Sequence, residues 1–353
     1  MRRSKSVSVL AALVLAASFV SGAATGTALD DSAEAGAAGG ARADDGAQVV
    51  TTTIVDSRTL DLTVQSPALG RSGMVRLLLP LDRDRQPDRR WPVLYLLNGC
   101  CGTYDSWTRE TDVEALTSQM NVLVVMPEAG RVGFYSNWWN YGAGGPPAWE
   151  TFHLTEVRQI LERGYRAGTH RAIAGLSMGG LGAMAYAARN PGMFRAAASY
   201  SGVLNTIYDP ATIMGLVRNV GADPLALWGD PVQQERIWAA HNPYDLAGRL
   251  RGIGLYVSSG DGNPGPLDPP DTPADGIEQW IYPQNVAFVA RTRTLGLRLT
   301  ADLYGAGTHT WPHWERALHR SFSMLMSSIG ADQTRPTVAA MLARWPQPGL
   351  HVG

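Results

Sequence analysis

A doubly wound α/β fold is predicted, with a mostly parallel central sheet, antiparallel strands at its N-terminal side and helices on both faces. Three observations predict it. Apolar runs at residues 93–97, 122–126, 172–176, 196–200, 253–258 and 297–303 are continuous rather than alternating, as strands buried on both faces require. Helical spacing occupies the stretches between several of them, at 149–163, 179–189, 276–293 and 311–327, and strand alternating with helix is the pattern of a layered α/β domain. Ahead of these lie three short β-rich stretches, 51–55, 60–65 and 74–79, separated by turn residues, which predict an antiparallel opening.

The N-terminus is read separately. Arg2, Arg3 and Lys5 precede an apolar run at 7–20 and small residues at 21–28, the build of a secretory signal peptide over residues 1–28. The run is short of the ~20 residues that cross a bilayer, so no stable membrane span is expected and the protein is predicted to be secreted or held in the cell envelope. Residues 29–48 are mainly Ala, Gly and Asp with little to bury, which predicts a disordered spacer. A single domain is expected over 49–335, followed by a tail at 336–353.

Within the domain, the helix at 179–189 is Ala-rich and stopped by Asn190 and Pro191. Two stretches interrupt the alternation, 206–242 and the Pro/Gly/Asp-rich 260–276, and both are expected to be lid or binding loops. A net charge of -1, from 30 basic and 31 acidic residues, leaves no basic face for nucleic acid. The two cysteines, Cys100 and Cys101, are adjacent. Neighbours cannot staple distant segments, so they are expected as two small buried residues in a tight turn or as a strained vicinal disulfide. No metal site and no cofactor is expected: two cysteines alone make a poor zinc site, and the acidic loop with Asp261, Asp268, Asp271 and Asp275 lacks the regular spacing of a calcium loop.

Gly175-Leu176-Ser177-Met178-Gly179 fits the GxSxG elbow, with a buried strand running into it and an Ala-rich helix leaving it. That context predicts the α/β-hydrolase fold with Ser177 as nucleophile. A serine hydroxyl needs a base, and the chain order of this fold is Ser, acid, His. His309, in the glycine-rich Gly305-Ala306-Gly307-Thr308-His309 after the last strand, is the expected base; His313 is read as a surface or pocket-wall residue. Two carboxylates compete for the acid: Asp261, just after the strand at 253–258, and Glu278, at the start of the next helix. Fold rules alone favour Asp261. The amide of Met178 is one expected oxyanion donor, and the loop Asn98-Gly99-Cys100-Cys101 is expected to supply another.

Four blocks occur in a telling order: Phe134-Tyr135-Ser136-Asn137-Trp138, Trp149-Glu150-Thr151-Phe152 with Glu156, the elbow, and Gly307-Thr308-His309-Thr310-Trp311. Together they resemble the antigen 85 mycolyltransferases, within the wider esterase family that also holds the esterase D type enzymes. The resemblance implies Glu278 as the acid and the amide of Cys100 as the second oxyanion donor. It also implies a lipid or small-molecule ester substrate and a sugar or lipid hydroxyl as acceptor. The charged residues that the mycolyltransferases carry in their oxyanion loop are replaced here by Asn98 and Cys101, which puts sugar specificity in question. Asn98, Trp138 and Trp311 are expected to contact substrate. The competing expectation is a cell-surface binding protein that keeps an inactive hydrolase fold.

Overall fold

The computed structural model describes residues 40–331. The expected signal peptide, most of the spacer and the C-terminal tail lie outside the described residues. The spacer boundary at 48 needs correction. Ala43 and Ala47 are buried, Arg42 bridges to Gln48, and Asp44 pairs with Arg163, so the fold already begins in the low forties. Two alanines suffice to bury a turn whose polar neighbours find partners, which composition alone does not reveal.

Among the described residues, nine strands form one sheet in the order β1-β2-β3-β5-β4-β6-β7-β8-β9. β1 (Gln48–Ile54), β2 (Thr59–Ser66) and β3 (Arg71–Leu78) run antiparallel, and β3 joins the rest through an antiparallel pairing with β5 (Leu123–Pro127). β4 (Trp91–Leu97), β6 (Ala167–Leu176), β7 (Ala196–Tyr200), β8 (Gly254–Ser259) and β9 (Thr300–Leu303) continue the sheet in parallel pairings. The mostly parallel sheet expected from the continuous runs, with its antiparallel N-terminal strands, is therefore present.

Period-two geometry explains why those runs are apolar throughout. Val93, Tyr95, Leu97, Ile173 and Ala197 enter one core cluster, while Leu94, Leu96, Ala172, Ala174, Ala196 and Ala198 enter the other. Each cluster is covered by its own helices. α1 (Met178–Arg189) lies over the first with Leu181, Ala183, Met184, Tyr186 and Ala188, and the C-terminal helix α3 (Trp311–Ile329) seals the second with Leu318, Phe322, Leu325 and Met326. Between them in sequence, α2 (Gly276–Thr294) packs Ile281, Phe288 and Val289 into the first cluster.

The register brings the strand ends into line. Leu97 pairs across from Gly175, Leu176 from Tyr200, Tyr200 from Ser258, and Ser259 from Leu303. The chain therefore leaves β4, β6, β7, β8 and β9 at one edge of the sheet, the carboxyl edge where open α/β sheets place their ligands.

Candidate active site

Ser177 follows the last residue of β6 and caps α1 with φ 53° and ψ -120°. A non-glycine residue there costs roughly 1–3 kcal/mol and persists only where surroundings hold it. They do: Ser177 N–H donates to Tyr200 O at 2.9 Å, and Ser177 O accepts from Gly180 N and Leu181 N at 3.0 and 3.2 Å. The flanking glycines are dictated by backbone crowding. A Cβ on Gly175 would sit 2.2 Å from Gly179 O, and one on Gly179 would sit 2.4 Å from Leu97 O. The elbow thus wedges α1 against the ends of β4 and β6 and leaves the Ser177 side chain half-buried at the sheet edge.

The loop after β4 lies directly against it, since a Cβ on Gly99 would be 3.1 Å from Ser177 Cβ. Tyr135 O–H donates to Asn98 O at 2.8 Å, and Cys101, at φ 64°, donates its N–H to Arg131 O at 3.1 Å. Those anchors fix the turn on either side of Cys100. The amides of Cys100 and Met178 have no acceptor among the described residues, the latter because it opens a helix. Two free N–H groups flanking Ser177 are what an oxyanion at that serine would require.

The cysteines depart from the expected buried pair: Cys100 is half-buried, but Cys101 is exposed, and both are free thiols with Sγ atoms 2.7 Å apart. The hydrogen bond from Cys100, helped by Arg131, holds the Cys101 thiol down at about 6, whereas that same contact and burial push Cys100 well up. Asn98, expected to contact substrate, is 2% exposed and donates its side-chain amide to Gly99 O within the same loop. Trp138 lies in the main core cluster with its indole N–H on Gly133 O. Trp311 remains half-buried and edge-on to both Trp107 and Trp314.

Glu278 and His309 are brought together, with His309 Nδ1 2.6 Å from Glu278 Oε2. Glu278 is fully buried, and its Oε1 accepts from Ser201 Oγ, Ser259 Oγ and Gly260 N at 2.8, 2.7 and 2.9 Å. Its charge is thus met on every side by donors. Ser201 belongs to the turn after β7, beside the Ser177 backbone: Val203 N–H donates to Ser177 O. Asp261, the competing acid, instead closes a turn, accepting Asn263 N–H at 2.9 Å. Trp314 meets the His309 ring edge-on at 4.9 Å. His313 is not the surface or pocket-wall residue expected; it is 2% exposed, stacked on Tyr304 and bonded through Nε2 to Asp268 at 3.1 Å.

Sequence reasoning missed Ser201, Ser259, Asp268 and Asp275. Serine at a strand end carries no local signal, and its value here emerges only when two neighbouring strands place it over the same carboxylate. The motif blocks around residues 134–138 and 149–156 prove to be braces. Tyr135 holds the oxyanion loop, Glu150 pairs with Arg189 at the end of α1, and Glu156 is buried accepting Ala68 N–H at 2.8 Å.

The family model described as "Putative esterase" matches residues 66–325. The chain is 30% identical over 283 residues to the diacylglycerol acyltransferase/mycolyltransferase Ag85B of Mycobacterium leprae, covering 76% of this chain and 84% of that protein. It is 34% identical over 229 residues to Esterase Rv1288 of Mycobacterium tuberculosis, covering 61% of this chain and 48% of that one. Among solved structures, Mycobacterium tuberculosis MPT51 (FbpC1) superposes with a TM-score of 0.64 at 26% identity, over 76% of this chain and 97% of the other. The chain belongs to this esterase family, and it is an enzyme of that class, a carboxylic-ester hydrolase or acyltransferase.

Proposed function

We propose that the protein is an exported serine esterase or acyltransferase that carries its acyl group on Ser177. The observation that supports this reading is the Glu278–His309 pair, carried by the first turn of α2 and by the loop after β9, at the sheet edge that also holds the serine elbow. Ser177 Oγ attacks the ester carbonyl carbon while His309 Nε2 takes its proton, and the tetrahedral oxygen is received by the amides of Cys100 and Met178. His309 then returns the proton to the leaving alkoxide, and an acyl-enzyme remains. Glu278 keeps Nδ1 protonated and stabilises the imidazolium that forms in each half-reaction. Water or a hydroxyl acceptor, deprotonated by the same imidazole, attacks the acyl carbon, and the bond to Ser177 Oγ breaks as His309 returns that proton to it. Export rests on the charged and apolar build of residues 1–28.

Transfer to a sugar or lipid hydroxyl is suggested by the mycolyltransferase relatives, hydrolysis by the esterase relative. Incubation with esters of graded chain length, with and without trehalose or a diacylglycerol, followed by mass analysis of the products, separates the two. Free acid alone marks an esterase; an acylated acceptor marks a transferase. No turnover of any ester by intact protein would favour a binding protein on an inactive fold.

A further inference from the structure

The loop between β8 and α2 carries one carboxylate that reaches both partners of the acid–base pair without touching either reacting side chain. Asp275 is the N-cap of α2, and its Oδ1 accepts from Ile277 N and Glu278 N at 2.8 and 3.2 Å. Its Oδ2 faces the other way and accepts the backbone N–H of His309 at 3.0 Å. We propose that Asp275 is a positioning residue that ties the backbone of the base to the backbone of the acid, so that the Glu278–His309 hydrogen bond is closed from both ends. The inference rests on the acid and base roles given above.

The surroundings suit a clamp. Residues 260–263 and 305–307 are already zipped by backbone bonds: Asp261 N to Gly305 O at 2.7 Å, Gly262 N to Gly307 O at 3.0 Å and Gly307 N to Asn263 O at 2.6 Å. Asp275 is threaded into the same zipper, because its own N–H donates to Gly262 O at 2.7 Å. The zipper ends at Gly307, two residues short of the base. Beyond it, Asp268 accepts the Thr308 hydroxyl and Asp275 accepts the His309 amide, so the segment carrying the imidazole is held by two carboxylates of one loop. A misplacement of about 1 Å at a catalytic group costs up to 10²-fold in rate, which gives such a tether a kinetic consequence.

A cap and a clamp are separable by chemistry. Capping needs one acceptor oxygen, and Asn caps a helix as well as Asp does. Asp275→Asn therefore keeps Oδ1 for Ile277 and Glu278 but turns an NH₂ donor toward the His309 N–H, breaking only the second tether. The experiment compares Asp275→Asn with wild type and with Asp271→Asn, an exposed neighbour, by steady-state ester hydrolysis across pH, fluorophosphonate labelling and thermal unfolding. The expected result is a variant that melts close to wild type, loses about 10-fold or more in kcat with KM little changed, and displaces the acidic limb of the kcat/KM profile, while Asp271→Asn matches wild type. A folded Asp275→Asn enzyme with wild-type kcat and wild-type pH profile overturns the clamp and leaves a plain helix cap. So does a loss of activity that only tracks the unfolded fraction. Wild-type protein that takes no label on Ser177 would instead remove the triad reading, and the proposal with it.

Discussion

At the scale of single residues, the site turns on how one carboxylate is chosen. Glu278 and Asp261 both precede the histidine in chain order, and position after a strand favoured Asp261. The geometry favours Glu278, which is fully buried, bonded to His309 and met by three further donors. Glu278→Gln keeps the shape but presents an amide donor where only donors converge, so it is expected to lower kcat by roughly 10²–10⁴-fold with KM nearly unchanged. Asp261→Asn keeps the Asx turn and is expected to stay within about twofold of wild type. Steady-state kinetics on a soluble ester check both, and the reverse ranking would make Asp261 the acid. The serine elbow was legible from five residues because a steric demand writes it: glycines are required where backbone atoms approach within contact distance. The buried place of Glu278 beside His309 was legible only through family resemblance, since a buried glutamate and a solvated helix residue look alike in one sequence.

At the scale of elements, strands buried on both faces announced themselves, because every residue of β4 and β7 is buried and most of their side chains enter one of two apolar clusters. Boundaries were less readable. β6 begins at Ala167, well before the apolar run, since Thr169 and His170 are exposed in the strand. β9 is confined to Thr300–Leu303 because Leu297 and Leu299 cover the core from irregular chain. The stretch 206–242, expected as a loop, holds the helices Pro210–Asn219, Pro224–Trp228 and Glu235–His241. Its signal was present: Asp209-Pro210 and Asp223-Pro224 are N-caps followed by proline at the first turn, and both aspartates accept helix amides. The π-helical turn Phe152–Val157 within the helical stretch from Trp149 to Gly164 has no comparable local mark.

At the scale of the whole molecule, two histidines outside the proposed triad link folding to pH. His153 is fully buried between Tyr186 and Glu128 O, and His241 is stacked on Trp228; burial holds each down at about 4. Both folded values lie below the unfolded ~6.5, so the unfolded chain takes up protons first as pH falls. Their stabilisation is complete above about pH 6.5 and is lost progressively toward pH 4, amounting to about 2 kcal/mol each at pH 5. Thermal unfolding followed by circular dichroism is expected to show a midpoint several degrees lower at pH 5 than at pH 7.5. An unchanged midpoint would mean that these imidazoles are not held neutral by burial.

If the sheet edge presents one activated serine for acyl transfer, Ser177 must carry the acyl group during turnover. The most direct measurement is intact-protein mass spectrometry after rapid mixing with a p-nitrophenyl ester, with peptide mapping of the adduct. One acyl group per chain on Ser177, absent in Ser177→Ala and no longer formed rapidly in His309→Ala, is the predicted result. Ester turnover with no adduct on Ser177, or turnover undiminished in Ser177→Ala, would contradict it.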